Sequence, residues 1–281
     1  MQKNSGDIDF KEYLNVIKEH SQYDFSDYSD NSISRRVQKV MRDYNMSYED
    51  LVEKTKNDIT FVEQIVDALA VNTTELFRDP TLWRFLLEKI YPTLKKKATL
   101  NIWHAGCSSG QEVYSNIIML DHLNMLDRTT IYASDISKKI LDQAKKGVYK
   151  YDFNKNYIDN FNQVFFGKNV DFKKYIDINE HEDKFTIKDF LKEKVKFIRY
   201  DLVQEELPFY NKFDIIFCRN VLIYFNINLQ SKIINRFYQN LFPGGILCLG
   251  AHETISGFYK TKFMKNGLVF NKSNGFHLKQ F

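Results

Sequence analysis

The stretch from Leu100 to Glu112 constrains this chain most. An apolar run (Leu100, Ile102, Trp103) reads as a strand, Gly106 to Gly110 as a loop of small residues, and a helical pattern begins near Glu112. Strand, glycine loop and helix in that order form the first unit of a nucleotide-binding α/β sheet, because only small residues let backbone approach a ligand closely. The G-x-G-x-x-G spacing of dinucleotide sites is missing, and no G-K-[ST] follows to cradle phosphates. The loop leaves open a cofactor with a ribose and no polyphosphate. S-adenosylmethionine fits that description.

The rest of the chain supports such a sheet. Strand signals at 99–104, 129–134, 195–199, 213–218 and 246–250 alternate with helical ones at 111–125, 137–146 and 228–241. This alternation predicts a mostly parallel sheet with helices on both faces. Residues 8–70 carry no Pro and no strand alternation, so they read as helical. Val71 to Pro80 break that pattern, and a helix is predicted from Thr81 to about Lys95. Residues 148–190 interrupt the alternation with a polar, aromatic stretch (Tyr149, Phe161, Phe172, Tyr175), which predicts an inserted subdomain rather than a disordered loop. The expected organisation is a helical domain over 1–75, a connector and linking helix over 76–98, and an α/β domain over 99–281 with its insert at about 148–190.

Charge and composition exclude several classes. A net charge of +4 spread over 281 residues is too mild to call for nucleic acid. Three cysteines, odd in number and without metal-ligand spacing, read as reduced thiols of a cytoplasmic protein with no metal. The first residues form no apolar signal core, and no run approaches the roughly 18 apolar residues of a membrane span.

Candidate chemistry gathers at the predicted strand ends. Asp135 closes the second strand, at about the separation from the glycine loop at which an acidic residue accepts ribose hydroxyls. It is equally placed to cap the helix that follows, and the two roles are compatible. Arg219 and Asn220 emerge at the end of the apolar run 215–217, at the sheet edge where ligands sit, and are costly to bury there without partners. The Asn/Asp-Pro-Pro-aromatic motif of methyltransferases that act on base amino groups is absent at this position. His104 and His252 read as structural, and Cys107 as a small loop residue. No Ser-His-Asp or Cys-His arrangement suggests itself. Such poverty of acid/base groups suits methyl transfer to a carboxylate, which is already ionised near neutral pH. On a helical wheel over 32–44, Ile33, Val37, Val40, Met41 and Tyr44 form a core stripe opposite Arg35, Lys39 and Arg42. That basic stripe is either a solvated face or a docking surface for an acidic partner helix.

Five motifs together resemble the CheR family, the bacterial chemoreceptor glutamate O-methyltransferases. They are Asn-Thr-Thr-Glu-Leu-Phe-Arg-Asp (72–79), Ala-Gly-Cys-Ser-Ser-Gly-Gln-Glu (105–112), Ala-Ser-Asp-Ile-Ser (133–137), Phe-Cys-Arg-Asn-Val-Leu-Ile-Tyr-Phe (217–225) and the segment from Pro243 to Glu253. The resemblance implies a Rossmann-like domain with a mostly parallel seven-stranded sheet, an all-helical N-terminal domain and a small inserted β subdomain. It implies S-adenosylmethionine as methyl donor, S-adenosylhomocysteine as product and a receptor glutamate as acceptor. By position, Asn72, Thr74, Arg78, Ala105, Gly106, Glu112, Asp135, Asp201, Leu202, Arg219 and Asn220 face the cofactor, and Arg78 and Tyr224 stand beside the reacting centre. For Arg78 the competing reading is an ion pair with Glu75 or Asp79, and for Tyr224 a packed aromatic. Chemoreceptor cytoplasmic helices are the implied partners, docked on Arg35, Lys39 and Arg42, and the insert is a place for a receptor C-terminal peptide. The chain departs from the family pattern at Leu76, at Gln111 and Val113, and at Asp201, where an amide donor becomes an acceptor. Two other readings stay open: a methyltransferase with another acceptor, and an adaptor that senses the cofactor without turnover.

Overall fold

The computed structural model describes residues 10–70, 74–152, 156–203, 206–207 and 212–273. Four helices come first: α1 (Phe10–His20), α2 (Asp30–Asp43), α3 (Tyr48–Asn57) and α4 (Ile59–Leu69). Local signals set their ends. Ser47 and Asp50 form a capping box on α3, and the Asp58 carboxylate accepts from the Phe61 N–H to open α4. Each cap satisfies a donor that the first turn leaves unpaired, worth about 1 kcal/mol. Ile33, Val37 and Val40 bury one side of α2 in a core shared with Phe61, Ile65 and Val66. Met41 is half-buried and Tyr44 lies exposed, edge-on to Phe61.

After Asp79 the chain enters α5 (Pro80–Phe85), a π turn over Leu86–Ile90 and α6 (Tyr91–Leu94), the stretch expected as one helix. Pro92 has no N–H to return to the preceding turn, and the helix widens just before it. The sheet then builds up as β1 (Leu100–Ala105), α7 (Gln111–His122), β2 (Thr129–Asp135) and α8 (Lys138–Lys146). An insert follows, with β3 (Val148–Lys150), α9 (Asn156–Val164), β4 (Ile176–Asn179), β5 (Lys184–Ile187) and α10 (Asp189–Lys192). The chain returns through β6 (Val195–Arg199), β7 (Phe213–Cys218), α11 (Ile227–Asn240), β8 (Leu241–Leu249), β9 (Phe263–Asn266) and β10 (Val269–Lys272).

The seven-stranded sheet has the order β6-β2-β1-β7-β8-β10-β9. Its first five strands pair in parallel, and β10 runs antiparallel to both β8 and β9. This is the Rossmann-like arrangement expected, including the small antiparallel sheet β3-β5-β4 in the insert. The strands β9 and β10 are short, and Met264, Lys265 and Asn266 lie exposed, so no apolar run announces them in the sequence. Central strands are buried on both faces. In β7, Ile215 and Phe217 join the core under α7 and the insert, while Ile216 and Cys218 join the core under α11. The aromatics of the insert are packed rather than loose: Phe161 lies 5.0 Å from Phe172 and 5.7 Å from Phe77 of the connector, ring centre to ring centre.

Gly110 caps α7 at φ +88°, and a Cβ there would sit 2.9 Å from the Ala144 Cβ. Gly167 has a similar φ of +75° with open space around it. Replacing Gly110 by Ala is expected to cost about 1–3 kcal/mol by urea unfolding. Gly167→Ala should cost less, since it bears the conformational part alone, and equal losses would refute the packing contribution at Gly110.

Candidate active site

The chain leaves β1 toward β2 on one side and returns to β7 on the other, so a crevice opens at the carboxyl ends of these strands. Thr74 and Arg78 of the connector and Tyr28, Arg36 and Ala70 of the helical region complete its lining. The resulting cleft encloses about 830 Å³ of non-atom space, open solvent included.

The glycine loop is pinned to β2. Gly106 and Cys107 donate their N–H groups to the Ser134 carbonyl at 2.8 and 2.9 Å. The Ser108 N–H donates to Asp135 Oδ2 at 2.8 Å, with Ser108 itself at φ +51°. Gly106 has φ +74°, and a Cβ there would lie 2.6 Å from the Val221 side chain. Asp135 also accepts from Ser137 N–H at 3.1 Å, while the cap of α8 is the Ser137 hydroxyl. Asp135 therefore shapes the loop, and its acceptor capacity of about four lone-pair sites leaves room for more donors. Burial pushes its carboxyl up, against the Ser137 and Ser108 bonds. Asp201 and Leu202, both buried, line the cleft just beyond β6. Burial also pushes the Asp201 carboxyl up, to about 6, outweighing the Val203 N–H bond and the charges of Arg236 and Arg199.

The β7 side is cationic and tightly tied. Arg219, its side chain 1% exposed, donates from Nη1 to Glu112 Oε2 at 3.0 Å. Its Nη2 donates to Asp79 Oδ2 at 2.5 Å and to the Arg78 carbonyl at 3.2 Å. Glu112 in turn accepts from His104 Nδ1 at 3.0 Å. His104 Nε2 takes the Asn116 amide hydrogen at 3.0 Å, and the Asn116 oxygen accepts from Tyr91, so the imidazole proton sits on Nδ1. Burial alone pushes the Glu112 carboxyl up; the His104 bond and the Arg219 charge outweigh it, and the group sits below its ordinary value.

The connector is strained where it meets this network. Phe77 and Asp79 have φ of +53° and +59°, uncommon for non-glycine residues and an outlier for a bulky one. Phe77 is held by its N–H bond to Ser115 Oγ at 2.7 Å and by edge contacts with Trp83, Phe161 and Phe165. The Arg78 side chain lines the cleft, as does Thr74. Asp79 accepts from Arg219, and Glu75 from the Asn156 amide.

Tyr224 lines the opposite wall in a short 3₁₀ turn, Leu222–Tyr224. The helical region reaches it directly. Ser29 N–H donates to the Tyr224 carbonyl at 2.9 Å, and the Arg36 guanidinium carbon lies 4.6 Å from the Tyr224 ring centre. Arg36 also donates to the Leu69 carbonyl, anchoring it at the end of α4.

Of the residues singled out in the sequence, Thr74, Arg78, Gly106, Glu112, Asp135, Asp201, Leu202, Arg219, Asn220 and Tyr224 converge on this cleft. Ala105 is buried at the end of β1 behind the loop, and Asn72 lies outside the described residues. Arg35, Lys39 and Arg42 are exposed on α2, with Lys39 paired to Asp43. Sequence reasoning missed Arg36, His104 as a partner of Glu112, and Asp79 as a partner of Arg219. Arg36 had a signal: three residues after Ile33 and four before Val40, it borders the apolar stripe. Among the described residues no group of side chains is arranged to hold a metal ion, and no helix is long and apolar enough to cross a membrane.

A glycine loop against an acidic strand end, without a phosphate-binding lysine, defines a nucleoside-cofactor site of the methyltransferase type. The family of CheR methyltransferase SAM-binding domains matches residues 72–268, and the all-alpha domain of CheR methyltransferases matches 8–70. Cher3 of Pseudomonas putida is 31% identical over 95% of this chain and 97% of its own length. A chemotaxis protein methyltransferase of Borreliella burgdorferi is 34% identical over 75% of this chain and 74% of its own. Among solved structures, the N-methyltransferase NodS of Bradyrhizobium japonicum, in complex with S-adenosyl-L-homocysteine, aligns with 62% of each chain at a TM-score of 0.34 and 14% identity. This chain belongs to the CheR family and is an S-adenosylmethionine-dependent methyltransferase of the chemotaxis type.

Asp201 supplies a test of the cleft's electrostatics. Its folded carboxyl titrates at about 6, above the ordinary 3.8, so its contribution to stability is present below that ordinary value and lost as pH rises through about 6. Asp201→Asn is therefore expected to gain stability relative to the parent between about pH 4 and pH 7, by roughly 1–3 kcal/mol in urea unfolding. A difference that does not change with pH would contradict the raised value.

Proposed function

We propose that this enzyme methylates side-chain carboxylates of glutamates in chemoreceptor proteins, forming glutamyl methyl esters in the cytoplasm. The observation that carries the reading is the meeting of α2 with the reactive wall. Arg36 stacks on Tyr224, while its helix neighbours Arg35, Lys39 and Arg42 face outward. An acidic helix drawn onto that exposed face is thereby brought to the mouth of the cleft.

The residues fit the cofactor. Gly106 allows the close backbone approach, Asp135 offers acceptors to ribose hydroxyls, and Asp201 with Leu202 suits an adenine edge and face. Thr74, Arg78, Glu112, Arg219 and Asn220 form the polar wall for the amino-acid end, with Ala105 and Asn72 assigned to its surroundings by their motifs. Bound S-adenosylmethionine supplies an electrophilic methyl group on a cationic sulfur. The acceptor glutamate, with an ordinary pKa near 4.3, needs no base at neutral pH. What the chain contributes is alignment and exclusion of water. Arg78 holds the acceptor carboxylate through paired N–H donors, and Tyr224 orients it or offers its ring face to positive charge. The small sheet β3-β5-β4 is the place for an extended receptor C-terminal peptide, added at a sheet edge.

The reading is tested with methyl-labelled cofactor and receptor-containing membranes. Label is expected on the receptor and should be released by mild alkali, as esters are. Label that survives alkali would point to a nitrogen acceptor instead. Reversing Arg35, Lys39 and Arg42 to Glu should lower the receptor kcat/KM by about tenfold or more at low ionic strength, with the gap shrinking in salt and cofactor affinity unchanged. Equal rates at low salt would remove α2 as the docking face.

A further inference from the structure

One carboxylate organises the segment that carries Asn220 and Tyr224. After β8 the chain turns through Gly250, and Glu253 folds back toward the end of β7. Its Oε2 accepts from the N–H groups of Gly250 at 2.7 Å and Asn220 at 2.8 Å. Its Oε1 accepts from the N–H groups of Val221 at 2.9 Å and Ile223 at 3.3 Å. Asn220 sits at φ +59°, a conformation uncommon for a residue with a side chain. That twist lets successive N–H groups converge on one point, a concavity suited to an anion. Gly250 closes the arrangement from behind: a Cβ there would lie 2.7 Å from Glu253 Oε2 and 2.9 Å from Asn220 N. From the other side, Asn226 N–H donates to the Asp27 carbonyl at 2.8 Å and Ser29 N–H to the Tyr224 carbonyl at 2.9 Å.

We propose that Glu253 is a positioning residue for methyl transfer, an internal anion that holds the backbone from Asn220 to Ile223 so that Asn220 and Tyr224 face the cleft. It acts through them, since those two line the cleft and Glu253 is not among the lining residues. The proposal rests on the reading that this cleft carries out the transfer. Removing the carboxylate leaves part-buried N–H donors without an acceptor and frees the strained residue to relax. The loss should fall on alignment rather than docking, because α2 remains untouched.

The experiment uses the full chain with Glu253→Gln, which keeps one acceptor oxygen and turns the other into a donor facing N–H groups. Glu253→Asp retains the charge on a shorter stem. For Glu253→Gln, kcat should fall by about 10- to 100-fold while KM for the receptor stays within about twofold. Amide hydrogen exchange should quicken within residues 219–225 and in the 250–253 turn and not elsewhere, and Glu253→Asp should recover part of kcat. Exchange that quickens throughout the molecule, or kcat that persists while the segment loosens, would overturn the proposal. If the parent enzyme itself transfers no methyl to receptors, the acceptor reading fails separately. Exchange and calorimetric affinity for S-adenosylhomocysteine then decide, with weaker binding and a loosened segment expected and unchanged values in both refuting the role.

Discussion

A guanidinium buried as deeply as that of Arg219 cannot stand without counter-charges, and the site is arranged around supplying them. Each partner comes from a different part of the chain: Glu112 from the first turn of α7, Asp79 and the Arg78 carbonyl from the connector. Removing either carboxylate leaves a cation in low dielectric, so the ends of β7 and α7 and the connector are locked into one geometry. The strained φ values at Phe77 and Asp79 persist because this ion pair and the aromatic contacts around Phe77 over-determine them. His104 completes the chain of bonds. Its imidazole, stacked 4.4 Å from the Phe217 ring, passes the order of the sheet core to Glu112.

The helical region is part of the cleft rather than an appendage to it. Tyr28 and Arg36 line the cleft, Tyr28 bridges to Phe225, and Ser137 donates to Asp67 at 2.5 Å. Arg199 ties the far side by pairing with Glu63 and Tyr23. The helix offering an exposed basic face also contributes a side chain to the wall. Under the proposed docking on α2, recognition and alignment share one element.

The sheet was legible in the sequence because its strands are buried on both faces and read as apolar runs, as Ile215 to Phe217 do. The site was legible where its chemistry is carried by residue types at strand ends: Gly106, Asp135, Arg219. Conformation and long-range pairing were not. Nothing local marks Phe77 or Asp79 as left-handed, because tertiary contacts impose that geometry. His104 reads as structural and is buried, while its pairing with Glu112 was not legible because that partner lies across the glycine loop. Asp201 is legible as a departure from the family motif, yet its raised carboxyl follows from burial that the sequence does not display.

The division of charge in the cleft bears on how transfer is favoured. The acidic side chain of Asp135 ends β2 and that of Asp201 follows β6, whereas Arg219 and Asn220 follow β7, with the glycine loop after β1 between them. In the proposed esterification an anionic carboxylate loses its charge on the way to the ester, so a cation that grips the carboxylate fully stabilises the reactant more than the transition state. The nearby arginines are already committed in part: Arg219 to Glu112 and Asp79, Arg36 to the Leu69 carbonyl and the Tyr224 ring. Those two are thereby kept from gripping an acceptor, which the proposed reading leaves to Arg78 to orient. A site with no base then gains rate from geometry and from low local water, and both depend on the fixed position of the Arg219 to Tyr224 segment.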